Sequence, residues 1–374
     1  MGRASRVVGL DIGTTALRAV ELGEGKKGKL TVLRFHEISI PAGAVSKGEI
    51  LQPEIVAAAL KKLWSEGGFR SKKVVLGTGN QRTLVRDLTV PKGSSQQIRE
   101  SLHFHVQGAL QIPIEESLLD FYPVSQSEGE HGEVIQGLLV STEKAPVLEN
   151  IRVVESAGLV PIEVDLIPFA LSRLLLFRPH LVGTIALLEV GASAASIVVA
   201  IDGVPQFVRI IPTGGDDLTL ALQNGLGVAQ EKALQIKRTL RVDFDTATRE
   251  AEAATATQCT CGRCILDLET VDDPRVQEIL RVTVSDLLVS VRNTISYFNN
   301  TRADEHVTEI LICGGGVQLA GFAEALAEVL QLPVNEADPF ALLTPARKVN
   351  LKKWQKSSSS YSVALGLASP GRTP

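Results

Sequence analysis

Apolar positions along the chain recur at two spacings, and each change of spacing marks a new element. Val7–Leu10 is a short apolar run that enters Asp11-Ile12-Gly13-Thr14-Thr15, and Ala16–Leu22 carries the chain back. Extended apolar runs on either side of a glycine turn predict a β-hairpin. A third strand is expected over about 30–40. After Pro53, Ile55, Val56, Ala59, Leu60 and Leu63 fall on one face of a helix that Gly67-Gly68 ends. Lys73–Gly77 then predicts a short strand.

From Val85 the character changes. Val85–Pro91 reads as an extended run halted by proline. Ser94 and Ser95 are caps for a helix with Ile98, Leu102 and Val106 on its apolar face. Strands are expected over Ser117–Val124 and Val134–Ser141, with SQSEGEHGE between them as an exposed loop. A helix from Pro146 ends at Gly158, and Val160–Asp165 is a strand. This organisation predicts a first domain in two parts, 1–84 and 160–182, with a small inserted subdomain at 85–159.

The second half, 183–374, repeats the opening pattern. Thr184–Gly191 runs into EVGASAAS and returns through Ser196–Ile201, and Gln206–Ile211 follows a tight Asp202-Gly203 turn. Gly9-Leu10-Asp11-Ile12-Gly13-Thr14-Thr15 and Leu187-Leu188-Glu189-Val190-Gly191-Ala192-Ser193 share apolar residues, a carboxylate, a β-branched residue, glycine and then small or hydroxyl residues. That is the mark of an internal duplication. Helices are expected over Asp216–Gly225, Gln230–Leu240, Pro274–Asn299 and Gly321–Leu330, with a loop-rich excursion near 243–273 and a last helix in SSSSYSVALGLA.

With 374 residues the chain has room for two domains or one large duplicated one. Its 44% hydrophobic and 21% charged residues describe an ordinary globular composition. A net charge of −4 and only 4% aromatic residues argue against nucleic acid as the ligand. The start shows no signal-peptide pattern. The least charged stretch, Leu181–Val204, still holds Glu189, Asp202 and glycines, so no membrane helix is expected and the location is read as cytoplasmic. Cys259, Cys261 and Cys264 sit in CTCGRC without a second CxxC or a nearby His. A surface loop is the simpler reading there, a zinc site the sharper one. Cys313 reads as core.

Two glycine hairpins, each with a carboxylate, suit one task. Glycine lets backbone N–H groups approach a phosphate, neighbouring hydroxyls add donors, and a carboxylate holds hydrated Mg²⁺. Either hairpin alone is equally well a plain turn; the pair at equivalent places is the signal. His103 and His105 read as a surface pair, Lys352, Lys353 and Lys356 as a solvated run, and Arg18 as either a phosphate partner or a solvated strand residue.

The order DIGTT, EVGASAAS, GGDD with a lysine-bearing helix, and CGGGVQLAGF resembles the actin-like ATPases, which include FtsA, sugar kinases and heat-shock chaperones. LVRDLTVP, LQIPIEESLLDFYPV, IEVDLIPFAL and YSVALGLA resemble, within them, the PilM family of type IV pilus assembly proteins. The resemblance covers nearly the whole chain. It implies an α/β actin-like ATPase fold, with two duplicated domains around a nucleotide cleft, and ATP and Mg²⁺ as cofactors. Asp11, Gly13, Thr14 and Thr15 match the first phosphate loop, and Glu189, Gly191, Ser193 and Ser196 the second. Gly214 and Gly215 match the glycine pair beside the nucleotide, Lys237 the lysine of an E-x-x-K helix, and Gly314, Gly315 and Gly316 the adenosine loop. Asp11 and Glu189 would hold Mg²⁺ through water.

Three positions depart from the pattern: Glu189 stands for Asp, Ala195 for Thr, and Leu234 for the E-x-x-K glutamate, with Glu231 one turn upstream. These departures touch catalysis more than binding, so slow hydrolysis or none is expected. The resemblance implies recruitment to the inner face of the cytoplasmic membrane through the N-terminal cytoplasmic peptide of a PilN-like protein, with self-association a further possibility. The strand around Val85–Leu88 and the helix with Ile98, Leu102 and Val106 are either the walls of the peptide groove or an ordinary subdomain core, with equal weight from the sequence. Rival readings are a sugar-type kinase, for which no base is found, an FtsA-like division protein, whose terminal amphipathic helix has no counterpart in GLASPGRTP, and a nucleotide-independent pseudo-ATPase scaffold.

Overall fold

The computed structural model describes residues 6–24, 30–106, 110, 112–130, 132–177, 181–242, 273–302, 304–340, 343–346, 349 and 359–370. The CTCGRC cluster and the run of Lys352, Lys353 and Lys356 lie outside them. The strands are β1 (Val7–Ile12), β2 (Ala16–Glu24), β3 (Leu30–Ser39), β4 (Val45–Ser46), β5 (Glu49–Ile50), β6 (Lys73–Thr78), β7 (Leu84–Pro91), β8 (Ser117–Gly129), β9 (Gly132–Glu143), β10 (Val160–Leu166), β11 (Thr184–Val190), β12 (Ala195–Ile201), β13 (Val204–Ile211), β14 (Glu309–Cys313), β15 (Val334–Glu336) and β16 (Thr344–Pro345). The helices are α1 (Pro53–Gly67), α2 (Ser95–His105), α3 (Lys144–Ser156), α4 (Ile167–Leu175), α5 (Gly215–Leu226), α6 (Gln230–Thr239), α7 (Pro274–Thr301), α8 (Phe322–Leu330) and α9 (Ser362–Ala368).

Two sheets share one topology. The first runs β10-β6-β1-β2-β3-β16 and the second β15-β14-β11-β12-β13. In each, the opening strand pairs antiparallel with the returning strand of its hairpin and parallel with the strand that follows the helical excursion. The duplication read from two short turns is thus a duplication of the whole sheet, with β16 added at one edge. The fold is the α/β actin-like one.

Strand periodicity decides which residues look inward. Val8 and Leu10 face a core shared with α1, while Ala186 and Leu188 face a core shared with α5 and α7. On the opposite faces, Ile185, Leu187, Val20 and Leu22 enter a central core with α4 and α9. The helices are exchanged there. α4 follows the first sheet and packs on β12 and β13; α9, near the end of the described chain, packs on β1, β2 and β6. Gly9 is required by that exchange: a Cβ on it would lie 2.0 Å from the Ala364 carbonyl oxygen.

A third sheet, β7-β9-β8, interrupts the first half and packs against α2. Ser94 caps α2 by accepting the Gln97 N–H, with the Gln97 side chain returning to the Ser94 N–H. Two expectations are corrected here. The stretch expected as the loop SQSEGEHGE is largely strand, because β8 continues to Gly129 and β9 restarts at Gly132, extending the ribbon as an exposed polar arm. Ile98, Leu102 and Val106 do not wall a groove: all three are buried with Val90, Phe121, Ile135 and Leu139 in the insertion's own core. α3, inside the expected 85–159 span, sends Val153 and Val154 into the α1 core instead. Among the described residues, no helix is long and apolar enough to cross a membrane.

Candidate functional site

The hairpin turns at the ends of β1 and β11 face one cavity of about 1180 Å³. Their backbones match residue for residue. Asp11 stands opposite Arg18 and Ile12 opposite Leu17; Glu189 stands opposite Ser196 and Val190 opposite Ala195. The Gly13 N–H donates to the Ala16 carbonyl at 3.1 Å, and the Gly191 N–H to the Ala194 carbonyl at 2.9 Å. Asp11 lies on the same face of β1 as Gly9, and Glu189 on the same face of β11 as Leu187, so period-2 geometry brings both carboxylates to the inner side. Both line the cavity.

Their surroundings differ. Arg18 Nη1 lies 3.6 Å from Asp11 Oδ2, and the Arg18 guanidinium also bonds Glu37. Burial raises the Asp11 carboxyl above the usual range, Arg18 pulls it back, and the Glu37 charge raises it again. Among the described residues, Glu189 accepts only the Ser196 hydroxyl, at 3.4 Å. Burial, reinforced by the Asp11 charge and opposed by the Ser196 hydrogen bond, pushes Glu189 up to about 8. Two inward carboxylates raised in this way are a locus where a cation would be welcome.

The N-terminus of α5 fixes the second turn. The Gly215 N–H donates to Gly191 at 2.9 Å and the Asp216 N–H to Ala192 at 2.7 Å, while Gly214 donates to Asp217 Oδ2 at 2.7 Å. A Cβ on Gly214 would lie 2.5 Å from the Ala192 carbonyl oxygen. Lys237 reaches from α6 to the Gly215 carbonyl and to the Thr219 hydroxyl at 3.3 Å. Burial lowers its ammonium pKa, partly offset by Asp216 and Asp217.

The Gly314-Gly315-Gly316 turn has two kinds of glycine. Gly314, at φ 99°, and Gly316 pack against Val190, where a Cβ would meet atoms at 2.4 Å in each case. At Gly315 a Cβ would meet nothing within 4 Å. Only the middle glycine leaves space that a side chain would occupy inside the cavity.

Thirteen of the fourteen residues expected at the site line this one cavity; Gly214 does not, and acts behind the second turn. Ala195 is buried, and Leu234 and Glu231 both reach the cavity wall. Among the lining or bridging residues outside the expected set are Arg18, Glu37, Lys47 and Gln81. Arg18 and Glu37 are readable in retrospect from the hairpin register, because Arg18 pairs with Asp11 on one side and Glu37 on the other. Lys47 and Gln81 come from segments far from either glycine turn, and no local pattern singles them out.

The family model described as type IV pilus assembly protein PilM matches residues 9–248 and 272–371. The chain belongs to the PilM family. A solved PilM-PilN type IV pilus biogenesis complex contains a chain 23% identical to this PilM-family protein, with a TM-score of 0.78 and 98% of each chain covered. The ethanolamine utilization protein EutJ from Carboxydothermus hydrogenoformans is 16% identical, with a TM-score of 0.52 over 97% of this chain and 89% of that one. The cell division protein FtsA of Bacillus subtilis (strain 168) is 21% identical over 354 residues, 89% of this chain and 78% of that protein. At such identities the solved structures speak for the fold, and the PilM match supplies the family.

Proposed function

We propose that this PilM-family protein is a cytoplasmic Mg-ATP-binding component of type IV pilus assembly that holds the N-terminal peptide of a PilN-like inner-membrane protein. The observation that carries the nucleotide reading is the pair of register-matched turns, each with an inward carboxylate, opening on one cavity whose far wall is cleared by Gly315.

The residues fit the cofactors. Among the described residues, no group of three or more His, Cys, Asp or Glu side chains is placed to cage a metal. Two carboxylates with water suit Mg²⁺, which keeps much of its hydration and takes further oxygens from phosphate. Asp11 and Glu189 would hold it through water. The turn containing Gly13, Thr14 and Thr15 and the turn containing Gly191 and Ser193, with the Ser196 hydroxyl, would face the phosphates; Gly215, Lys237 and Gly314–Gly316 would face the nucleoside, with Gly214 fixing the turn behind. Bound Mg²⁺ supplies charge neutralisation at the phosphates. Turnover is expected to be slow. Glu189 carries its carboxylate on a longer side chain than the Asp of the pattern, Ala195 brings no hydroxyl, and Leu234 offers the ribose no carboxylate.

The partner reading draws support from the family and from the solved complex in which a similar chain is joined to PilN. In this reading the peptide would lie between the first domain and the insertion, and α2's apolar face, which is used internally, would not be its seat. The test is titration of a labelled N-terminal peptide from the PilN-like protein of the same genome. Saturable binding is expected; none, with ATP present or absent, would remove the partner and leave the nucleotide reading alone.

A further inference from the structure

We infer that Lys47 reads the terminal phosphate of the bound nucleotide, so that its ammonium gives the cleft a preference for nucleoside triphosphate over diphosphate. This rests on the nucleotide reading above. Lys47 and Gly48 form the two-residue turn between β4 and β5, with φ 51° and 81°. Such turns need the left-handed region at both positions, which is easy for glycine and unusual for a long side chain.

The turn is fixed to the segment that bridges the two halves. A Cβ on Gly48 would lie 3.0 Å from the Asn80 Cβ, so Gly48 sits directly on Asn80. The Asn80 side-chain carbonyl accepts the Arg82 N–H and the Thr83 hydroxyl, both at 3.1 Å. Arg82 returns to Glu49 of the β4–β5 hairpin at 3.8 Å. Between them, Gln81 Nε2 crosses to the Ser193 carbonyl of the second turn at 3.0 Å. Lys47 is therefore held beside the place where the first half touches the second phosphate turn, and it lines the same cavity as Thr14 and Ser193.

The other cations of the cavity are engaged or elsewhere. Arg18 serves Asp11 and Glu37; Lys237 serves the Gly215 carbonyl and Thr219. Arg238 lies on α6, which leads into Arg241 and Val242 paired with Ala320, at the Gly314–Gly316 end. Lys47 is exposed and, among the described residues, enters no ion pair. A triphosphate carries more negative charge than one Mg²⁺ cancels, and a flexible ammonium at its terminal end supplies the difference.

The experiment titrates the purified full chain with Mg-ADP and with the Mg²⁺ complex of a non-hydrolysable ATP analogue. Lys47→Met is expected to lower affinity for the triphosphate by about tenfold or more, as for loss of a charge-assisted contact, and to change ADP affinity by less than about twofold. Lys47→Gly, which relaxes the turn, is expected to match Lys47→Met, and Lys47→Arg to keep most of the preference. Equal losses for both nucleotides, or no loss for either, would overturn the assignment. Wild-type protein that binds neither nucleotide would instead refute the nucleotide reading, and Lys47's role with it.

Discussion

In the first half of the molecule Asp11 stands across its hairpin from Arg18, and Arg18 reaches on to Glu37; in the second half Glu189 stands across from Ser196 and, among the described residues, has no ion pair. The backbones are the same and the electrostatics are not. The first carboxylate has an arginine to answer its charge before any metal arrives. The second does not, and burial, reinforced by the Asp11 charge, holds its proton up to about pH 8. A divalent cation that uses both carboxylates must therefore displace a proton from the second half at neutral pH.

The same comparison holds one step back along each strand. Gly9 and Leu187 occupy equivalent places, each two residues before the carboxylate. Gly9 makes room for α9, while Leu187 fills the central core. Exchanging them gives the largest effect expected here. Gly9→Leu should prevent α9 from docking, at a cost of about 3 kcal/mol or more, and Leu187→Gly should leave a cavity worth about 3–5 kcal/mol. Thermal or urea unfolding of each variant checks this; near-wild-type stability of Gly9→Leu would mean the helix exchange is misplaced.

Gly315 offers the next largest effect, and a cleaner one. A side chain there enters open space without touching protein, so Gly315→Val is expected to fold normally and to weaken nucleotide binding by about 100-fold, roughly 3 kcal/mol. Gly314→Val, at φ 99° and against Val190, should instead lose stability. Unfolding and binding curves for the two variants separate the roles.

The pH comparison is smaller. A carboxyl raised from 4.5 to about 8 in the folded protein contributes stability that is present at low pH and is lost as pH rises through that window. Glu189→Gln is therefore expected to melt above the wild type without Mg²⁺, with a gap that opens between about pH 4.5 and 8 and then stays level. Asp11→Asn should gain less, since it leaves Arg18 with Glu37 alone. Melting temperatures across pH 5–9 decide it, and a gap that shrinks with rising pH would reverse the assignment. The smallest effect concerns turnover: Glu189→Asp should raise any basal ATP hydrolysis by no more than about tenfold, because Ala195 and Leu234 remain.

Most of the strands and both hairpins were legible because strand alternation and glycine turns are local, whereas the order of the strands in each sheet was not read. The two DxG-type turns, written once with Asp and once with Glu, announced the duplication before any contact was known. What the sequence concealed was set by long-range packing. Ile98, Leu102 and Val106 have the same spacing whether they line a groove or fill a core, and only Phe121, Ile135 and Leu139 arriving from other strands decide for the core. Arg18 was visible but ambiguous until the register set it between Asp11 and Glu37. Lys47 and Gln81 reach the cleft through a hairpin and a bridge that no short-range pattern encodes.

Calorimetric titration with ATP, with and without Mg²⁺, at pH 6.5 in buffers of different ionisation enthalpy, tests the central claim most directly. The paired carboxylates should give saturable binding that strengthens with Mg²⁺ and releases a proton, with the release abolished in Glu189→Gln and retained in Asp11→Asn. Binding that is indifferent to Mg²⁺ and to both substitutions, or no binding at all, would contradict it.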